Sequence, residues 1–170
     1  MLSQKVQDAL NEQMKNEFFS GYLYLAMAAY CEAEDLPGFG SFFRVQAMEE
    51  LTHADKIYRY ICEAGGRARM AAVPEPKNDY ASLTEVFQYG LEHERKVTGM
   101  INRLTDLAMA ESDHATRIFL QWFVTEQVEE EANFSAWLAK VRRVEGDGRG
   151  LLMLDQEAGQ RTFTPPPAGQ

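Results

Sequence analysis

Apolar residues return at alternating intervals of three and four through four long stretches of this chain, and that period commits it to helices packed side by side. The first stretch runs from about Lys5 to Glu34, behind Ser3 as a candidate N-cap, and ends at Leu36-Pro37-Gly38. The second runs from about Phe39 to Ala64 and stops at Gly65-Gly66. A connection rich in turn formers follows, roughly 67–81, with Pro74 and Pro76 in it. Ser82-Leu83-Thr84-Glu85 reads as a capping box opening a third helix that continues to about Ala110. Ser112-Asp113 caps the fourth, which runs to about Val144. Gly146, Gly148 and Gly150 then break the pattern, and Leu151-Leu152-Met153-Leu154 is expected to form a short fifth helix. No stretch carries a strand pattern of weight. Each main helix is roughly 40 Å long at about 1.5 Å per residue. Short joints within the first and last pairs make antiparallel hairpins, whereas the connection between helices two and three is long enough to travel along the bundle. The expected fold is all-α: a four-helix bundle with one long crossover and a short C-terminal fifth helix. Residues 1–160 are expected to form one unit, and the Pro-rich stretch 161–170 a flexible tail.

Each apolar stripe is interrupted near its middle by a polar residue. On the second helix the core positions are Phe43, Ala47, Glu50, Ala54, Ile57 and Ile61, and His53 lies one turn beyond Glu50 on the same face. The first helix is expected to bury Leu10, Met14, Glu17, Gly21, Tyr24 or Leu25, and Ala28. The third reads Phe87, Leu91, Glu94, Val97, Ile101, Leu104, Ala108. The fourth reads Leu120, Phe123, Gln127, Glu130, Phe134, Trp137, Val141. A single buried glutamate could pair with an arginine or sit at the edge of its stripe. Four of them at similar depth, with no basic residue on any stripe, are a different matter. An unpaired buried carboxylate costs several kcal/mol even after relaxation. Two cations shared by the carboxylates remove that cost. The arrangement is the one used by two-metal sites in bundles: a Glu from each of two helices and a Glu-x-x-ligand pair from each of the other two. Hard oxygen donors with one imidazole and no thiolate favour iron or manganese over structural zinc. Iron is the better fit, because an oxygen-rich site stabilises Fe³⁺ and promotes oxidation by oxygen or peroxide.

Through Glu17, Glu50-x-x-His53, Glu94 and Gln127-x-x-Glu130 the chain resembles the ferritins, and most closely the non-haem bacterial ferritins, over about residues 2–160. The resemblance implies a ferritin-like fold. It also implies that Glu17, Glu50 and His53 hold one ferroxidase iron. Glu50 then bridges to a second iron held by Glu94 and Glu130, with Gln127 beside it. Glu50, His53 and Tyr24 become the catalytic set, Tyr24 hydrogen-bonding a ligand or lending an electron. For Tyr24, and for Trp122 near the same site, ordinary packing is the competing reading. Matching residues in the family bind a third iron, which here implies Glu49, Glu126, Glu129 and Glu130. A solvated acidic helix face is the alternative for that cluster, and Glu131 is expected in solvent. His93 is expected at the surface, and His114 in a cap at the start of helix four rather than in a channel. Haem is not expected. Leu51 stands where haem-binding relatives carry Met, Met48 is out of register, and Gln127-x-x-Glu130 replaces a second Glu-x-x-His. Cys31 and Cys62 are expected as small buried residues in a reducing cytosol.

The resemblance implies an iron-storage ferroxidase with Fe²⁺ and O₂ or H₂O₂ as its reactants. Its mineral would sit inside a homo-24-mer shell in the cytoplasm. The net charge of −9 argues against nucleic acid or an anionic membrane as partner and suits a handler of cations. The N-terminus lacks the apolar core of a signal peptide, and the run from Gly21 to Cys31 is too short to span a bilayer. Three alternatives remain at this level. A di-iron oxidase or peroxidase would use the same ligands without storage. A DNA-protecting mini-ferritin builds its site between subunits. A purely structural bundle leaves the polar layer unexplained.

Overall fold

Ser3 accepts a hydrogen bond from the Val6 amide at 3.3 Å and starts α1 (Gln4–Ala33). The computed structural model describes residues 2–164, all helix, turn or irregular connection. The first joint is tighter than the sequence pattern suggests. Asp35 takes a left-handed conformation (φ 58°), and α2 (Pro37–Glu63) begins at once. Pro37 is therefore the first residue of α2 rather than part of a stop: a proline there gives up an N–H that has no partner anyway. Gly65 (φ 77°) and the Gly66 amide, donating to the Ile61 carbonyl at 2.8 Å, close α2 as expected.

The connection to α3 (Leu83–Ala110) runs the length of the bundle. Near its start the Arg67 amide donates to Gln7 and the Arg69 amide to Asn11, at the beginning of α1. Near its end Tyr80 packs its ring edge-on against Tyr30, at the far end of α1. The Ser82 hydroxyl caps the Glu85 amide at 3.2 Å, but Glu85 reaches back to the Ala81 amide (2.6 Å) rather than to that of Ser82. Asp113 caps α4 (His114–Arg143) through both the amide and the hydroxyl of Thr116, while Ser112 makes the turn at φ 56°.

The fifth helix, α5 (Gly148–Ala158), is longer than the apolar tetrad suggests. Gly148 and Gly150 lie in its first turn instead of preceding it, because Asp147 caps there and the first turn tolerates glycine. Its buried residues are Asp155 and Ala158, whereas Leu152 and Met153 are exposed. Asp155 docks it. Leu36, the N-cap of α2, has no capping side chain, and Asp155 Oδ1 accepts from the Phe39 amide at 2.9 Å instead. The approach needs Gly38, where a Cβ would stand 1.8 Å from the Asp155 carbonyl oxygen.

The four stripes face inward as read, with Tyr24 rather than Leu25 on α1 and with Leu138 more deeply buried than Trp137 on α4. The core falls into two apolar clusters. One gathers Met27, Phe39, Phe42, Phe43, Phe87 and Phe134. The other gathers Leu10, Met14, Ile57, Ile61, Ile101 and Phe123. The polar residues of the stripes lie between them. Cys31 is buried but Cys62 is exposed, since it follows Ile61 on the outward side of α2. Of the Pro-rich stretch, residues 165–170 lie outside the described residues. Among those described, no helix is long and apolar enough to cross a membrane.

Asp155→Ala removes the cap of α2 and is expected to cost about 1 kcal/mol. Gly38→Ala is expected to cost more, because its Cβ meets backbone. Urea unfolding of both variants measures this, and wild-type midpoints for both would contradict the docking described.

Candidate metal centre

Between the two apolar clusters each long helix delivers a carboxylate. Glu17 comes from α1, Glu50 and His53 from α2, Glu94 from α3, and Glu130 with Gln127 from α4; all are buried. One ligand atom from each of Glu17, Glu50 and His53 lies within 4.8 Å of the others, close enough to hold one ion. His53 Nδ1 is 3.4 Å from Glu50 Oε2, and the Gln13 amide donates to Glu17 at 2.7 Å. Trp122 meets the His53 ring edge-on at 5.2 Å.

The other half of the set faces protein donors. Tyr24 donates its hydroxyl to Glu94, and Gln127 Nε2 donates to the same carboxylate at 3.1 Å. Gln46 Nε2 donates to both oxygens of Glu130 at 2.9 Å and to Glu50 at 3.3 Å. Tyr24 packs near-parallel to both Phe43 and Phe134, which also meet each other, so its phenol is fixed by packing as well as by its hydrogen bond. Thus Glu17, Glu50 and His53 converge, while Glu94 and Glu130 lie near enough to feel the charge of Glu50, Gln127 holds Glu94, and among the described residues these form no second ready-made ligand cluster.

The electrostatics show how much negative charge is gathered here. Burial, then repulsion from Glu50, pushes Glu17 up to about 8, and the same two causes push Glu130 up to about 8. Burial, then Glu50 and Glu130, holds Glu94 well above the usual carboxylate range. Burial also works to raise Glu50, but His53 and a hydrogen bond from Glu17 outweigh it and keep Glu50 ionised. Burial opposes the His53 imidazolium, yet Glu50 and Glu17 overcome it and raise the ring to about 10. The side chains thus balance their charge with protons. A multivalent cation can replace those protons on oxygen and imidazole donors suited to iron.

Several contributors carry no stripe signal. Gln13 and Gln46 are buried amides aimed at the carboxylates. His93, expected at the surface, is buried: its Nε2 lies 2.8 Å from the Ser20 hydroxyl and its ring meets Tyr24 edge-on. It faces α1 while Glu94 faces the centre, because α3 buries both directions. Burial lowers it to about 4, so it is neutral. Glu131 is half-buried rather than solvated, accepting from the Thr98 hydroxyl at 2.6 Å. His114 is the exposed first residue of α4, and Asp113 does the capping. Glu49, Glu126, Glu129 and Glu130 line one cavity of about 260 Å³ together with Asn133 and Arg161.

Known proteins are similar to this chain in sequence and in fold. Residues 7–144 match the family model of the ferritin-like domain. A bacterial non-heme ferritin of Staphylococcus aureus (strain MRSA252) is 44% identical over 163 residues, covering 96% of this chain and 98% of that protein. A bacterial non-heme ferritin of Staphylococcus saprophyticus is 42% identical over the same shares. Among solved structures, an open-pore ferritin from the hyperthermophilic archaeon Archaeoglobus fulgidus superposes with a TM-score of 0.94 at 44% identity, covering 95% of this chain and all of that one. A closed form of the same ferritin, engineered by mutagenesis, superposes with a TM-score of 0.96 at 44% identity, covering 96% of this chain and all of that one.

The raised groups set a pH dependence. Glu17 and Glu130 contribute stability that is complete below 4.5 and lost as pH rises through about 8; for His53 the limits are 6.5 and about 10. Glu50, held low, loses its contribution only in acid. In chelator the melting temperature is expected to fall from about pH 6 to about pH 9, and Zn²⁺, which replaces the protons, is expected to flatten the fall. A melting temperature that rises over that interval in chelator would contradict the assignment.

Proposed function

The chain belongs to the ferritin family, and on that premise we propose that it oxidises Fe²⁺ to Fe³⁺ inside each bundle and stores the product as a ferric oxyhydroxide mineral. Oxygen or hydrogen peroxide is the oxidant, taking one electron from each Fe²⁺, and hydrolysis of the Fe³⁺ releases protons. The observation that carries this reading is the convergence of Glu17, Glu50 and His53 within 4.8 Å, in the interior of the bundle.

In this reading Glu17, Glu50 and His53 take the first iron. Glu50, central to the electrostatics of every neighbour, bridges to a second iron taken by Glu94 and Glu130, with Gln127 alongside. Two irons per subunit follow from that set. Tyr24 orients Glu94 and is an oxidisable ring hydrogen-bonded to a ligand. Glu49, Glu126, Glu129 and Glu130 take a third iron on its way from the centre, supported by the cavity they share. That cavity, lined by four carboxylates, suits cations rather than an organic substrate, which favours storage over a di-iron oxidase.

Copies of the chain assemble into a shell, for which we take 24 subunits. Tyr22 and Leu25 on α1 and Met48, Leu51 and Tyr58 on α2 are exposed. A Cβ on Gly21 would meet Leu51 at 3.5 Å, which sets the exposed apolar residues of α2 beside those of α1 on a surface suited to a second copy. Residues 1–160 form the body of the functional unit and 161–170 its tail, joined to that body through Arg161, and the protein works in the cytoplasm.

Anaerobic Fe²⁺ loading followed by air, with ferric absorbance and particle size recorded together, tests the reading. Fast oxidation by a shell-sized particle is expected. Glu50→Ala and His53→Ala are each expected to bring the initial rate close to that of buffer. Fast oxidation by a small oligomer would contradict storage, and wild-type rates in both variants would contradict the centre.

A further inference from the structure

Arg161 lies just beyond α5 and reaches across the fold to the edge of the metal centre. Its Nη1 donates to Gln46 Oε1 at 2.6 Å, and its Nη2 donates to the Glu49 carboxylate. The guanidinium lies 4.6 Å over the Phe42 ring, a placement that favours a cation. Its place is set by the docking of α5 on α2. Asp155, six residues earlier, is fixed to the start of α2, and Gly38 lets the two backbones close up.

Two consequences follow from the chemistry of the partners. A guanidinium only donates, so it selects the orientation of the fully buried Gln46 amide: Oε1 outward, Nε2 inward onto Glu130 and Glu50. The same guanidinium also forms part of the wall of the cavity lined by Glu49, Glu126, Glu129 and Glu130. It brings a fixed positive charge to a pocket whose remaining lining is four carboxylates and the Asn133 amide, with His53 Nε2 3.9 Å from Glu126 at its edge.

We propose that Arg161 is the built-in counter-cation of this inner pocket, which an entering metal ion has to displace from Glu49. This rests on the iron-centre reading above and adds a control to it. The two cations at the centre bind first, and the pocket takes a third only when the guanidinium swings away. Since Gln46 links Arg161 to Glu130, that swing also releases the amide that holds Glu130. The end of the chain thereby sets how readily the pocket draws a cation out of the centre. Arginine suits the task because its planar fork holds Glu49 and Gln46 at once, whereas lysine supplies only a point charge.

Anaerobic calorimetry of the assembled protein with Zn²⁺ tests this in the wild type, Arg161→Gln and Arg161→Lys. Arg161→Gln removes the charge but keeps a polar side chain, and is expected to tighten the third Zn²⁺ step about ten-fold or more. Arg161→Lys keeps the charge but loses the fork that holds Glu49 and Gln46 together, and is expected to fall between the wild type and Arg161→Gln. A third step that is unchanged or weaker in Arg161→Gln would overturn the proposal. So would a parallel loosening of all three steps with a lowered melting temperature, the mark of a merely structural arginine. Failure of the wild type to take two Zn²⁺ tightly would instead overturn the iron-centre reading.

Discussion

The mutual repulsion of Glu17, Glu50, Glu94 and Glu130 inside the bundle is the constraint around which the rest of the structure is arranged. In water these carboxylates would separate. Here two aromatic and aliphatic clusters, one on each side of them, fix the register of four long helices and leave the acids no way out. Burial then makes each charge expensive, and the site answers with protons, amides and one imidazolium. That state is balanced by protons and amides, which a multivalent cation can replace on the same donors. The packing of the cores thus stores the tendency that the chemistry uses.

Much of this was legible because a helix of period 3.6 makes buried positions countable. Glu50 counts as a core position among Phe43, Ala47, Ala54, Ile57 and Ile61, and the structure buries it. What the period could not show are contacts that leave the stripe. His93 is one residue from Glu94 and so lies off the stripe, yet α1 packs there too, and Ser20 waits for its imidazole. Gln46 is one turn before Glu50 and looks like an ordinary polar position, although it is fully buried. Gly148 and Gly150 signalled a break, because glycine as a helix stop and glycine in a first turn look alike until the cap at Asp147 is seen.

The end of the chain was the least legible part, because its interactions join residues far apart in sequence. Asp155 caps a helix that begins more than a hundred residues earlier, and Arg161 meets Gln46 across 115 positions. No local pattern encodes such a pairing. Two glycines, Gly38 and Gly159, mark the close approach of the backbones, but only in retrospect. The result is that a short fifth helix, which buries little apolar surface, still ties the C-terminal segment to the centre of the bundle.

The most direct test is a crystal structure of the protein grown with Co²⁺ and measured for anomalous scattering. Two peaks inside each bundle, about 3.5–4 Å apart and sharing Glu50, are expected. One should lie against Glu17 and His53, the other against Glu94 and Glu130. Peaks confined to the outer surface, with the buried carboxylates still hydrogen-bonded to Gln46, Gln127 and Tyr24, would contradict the reading of the polar layer as a two-metal site.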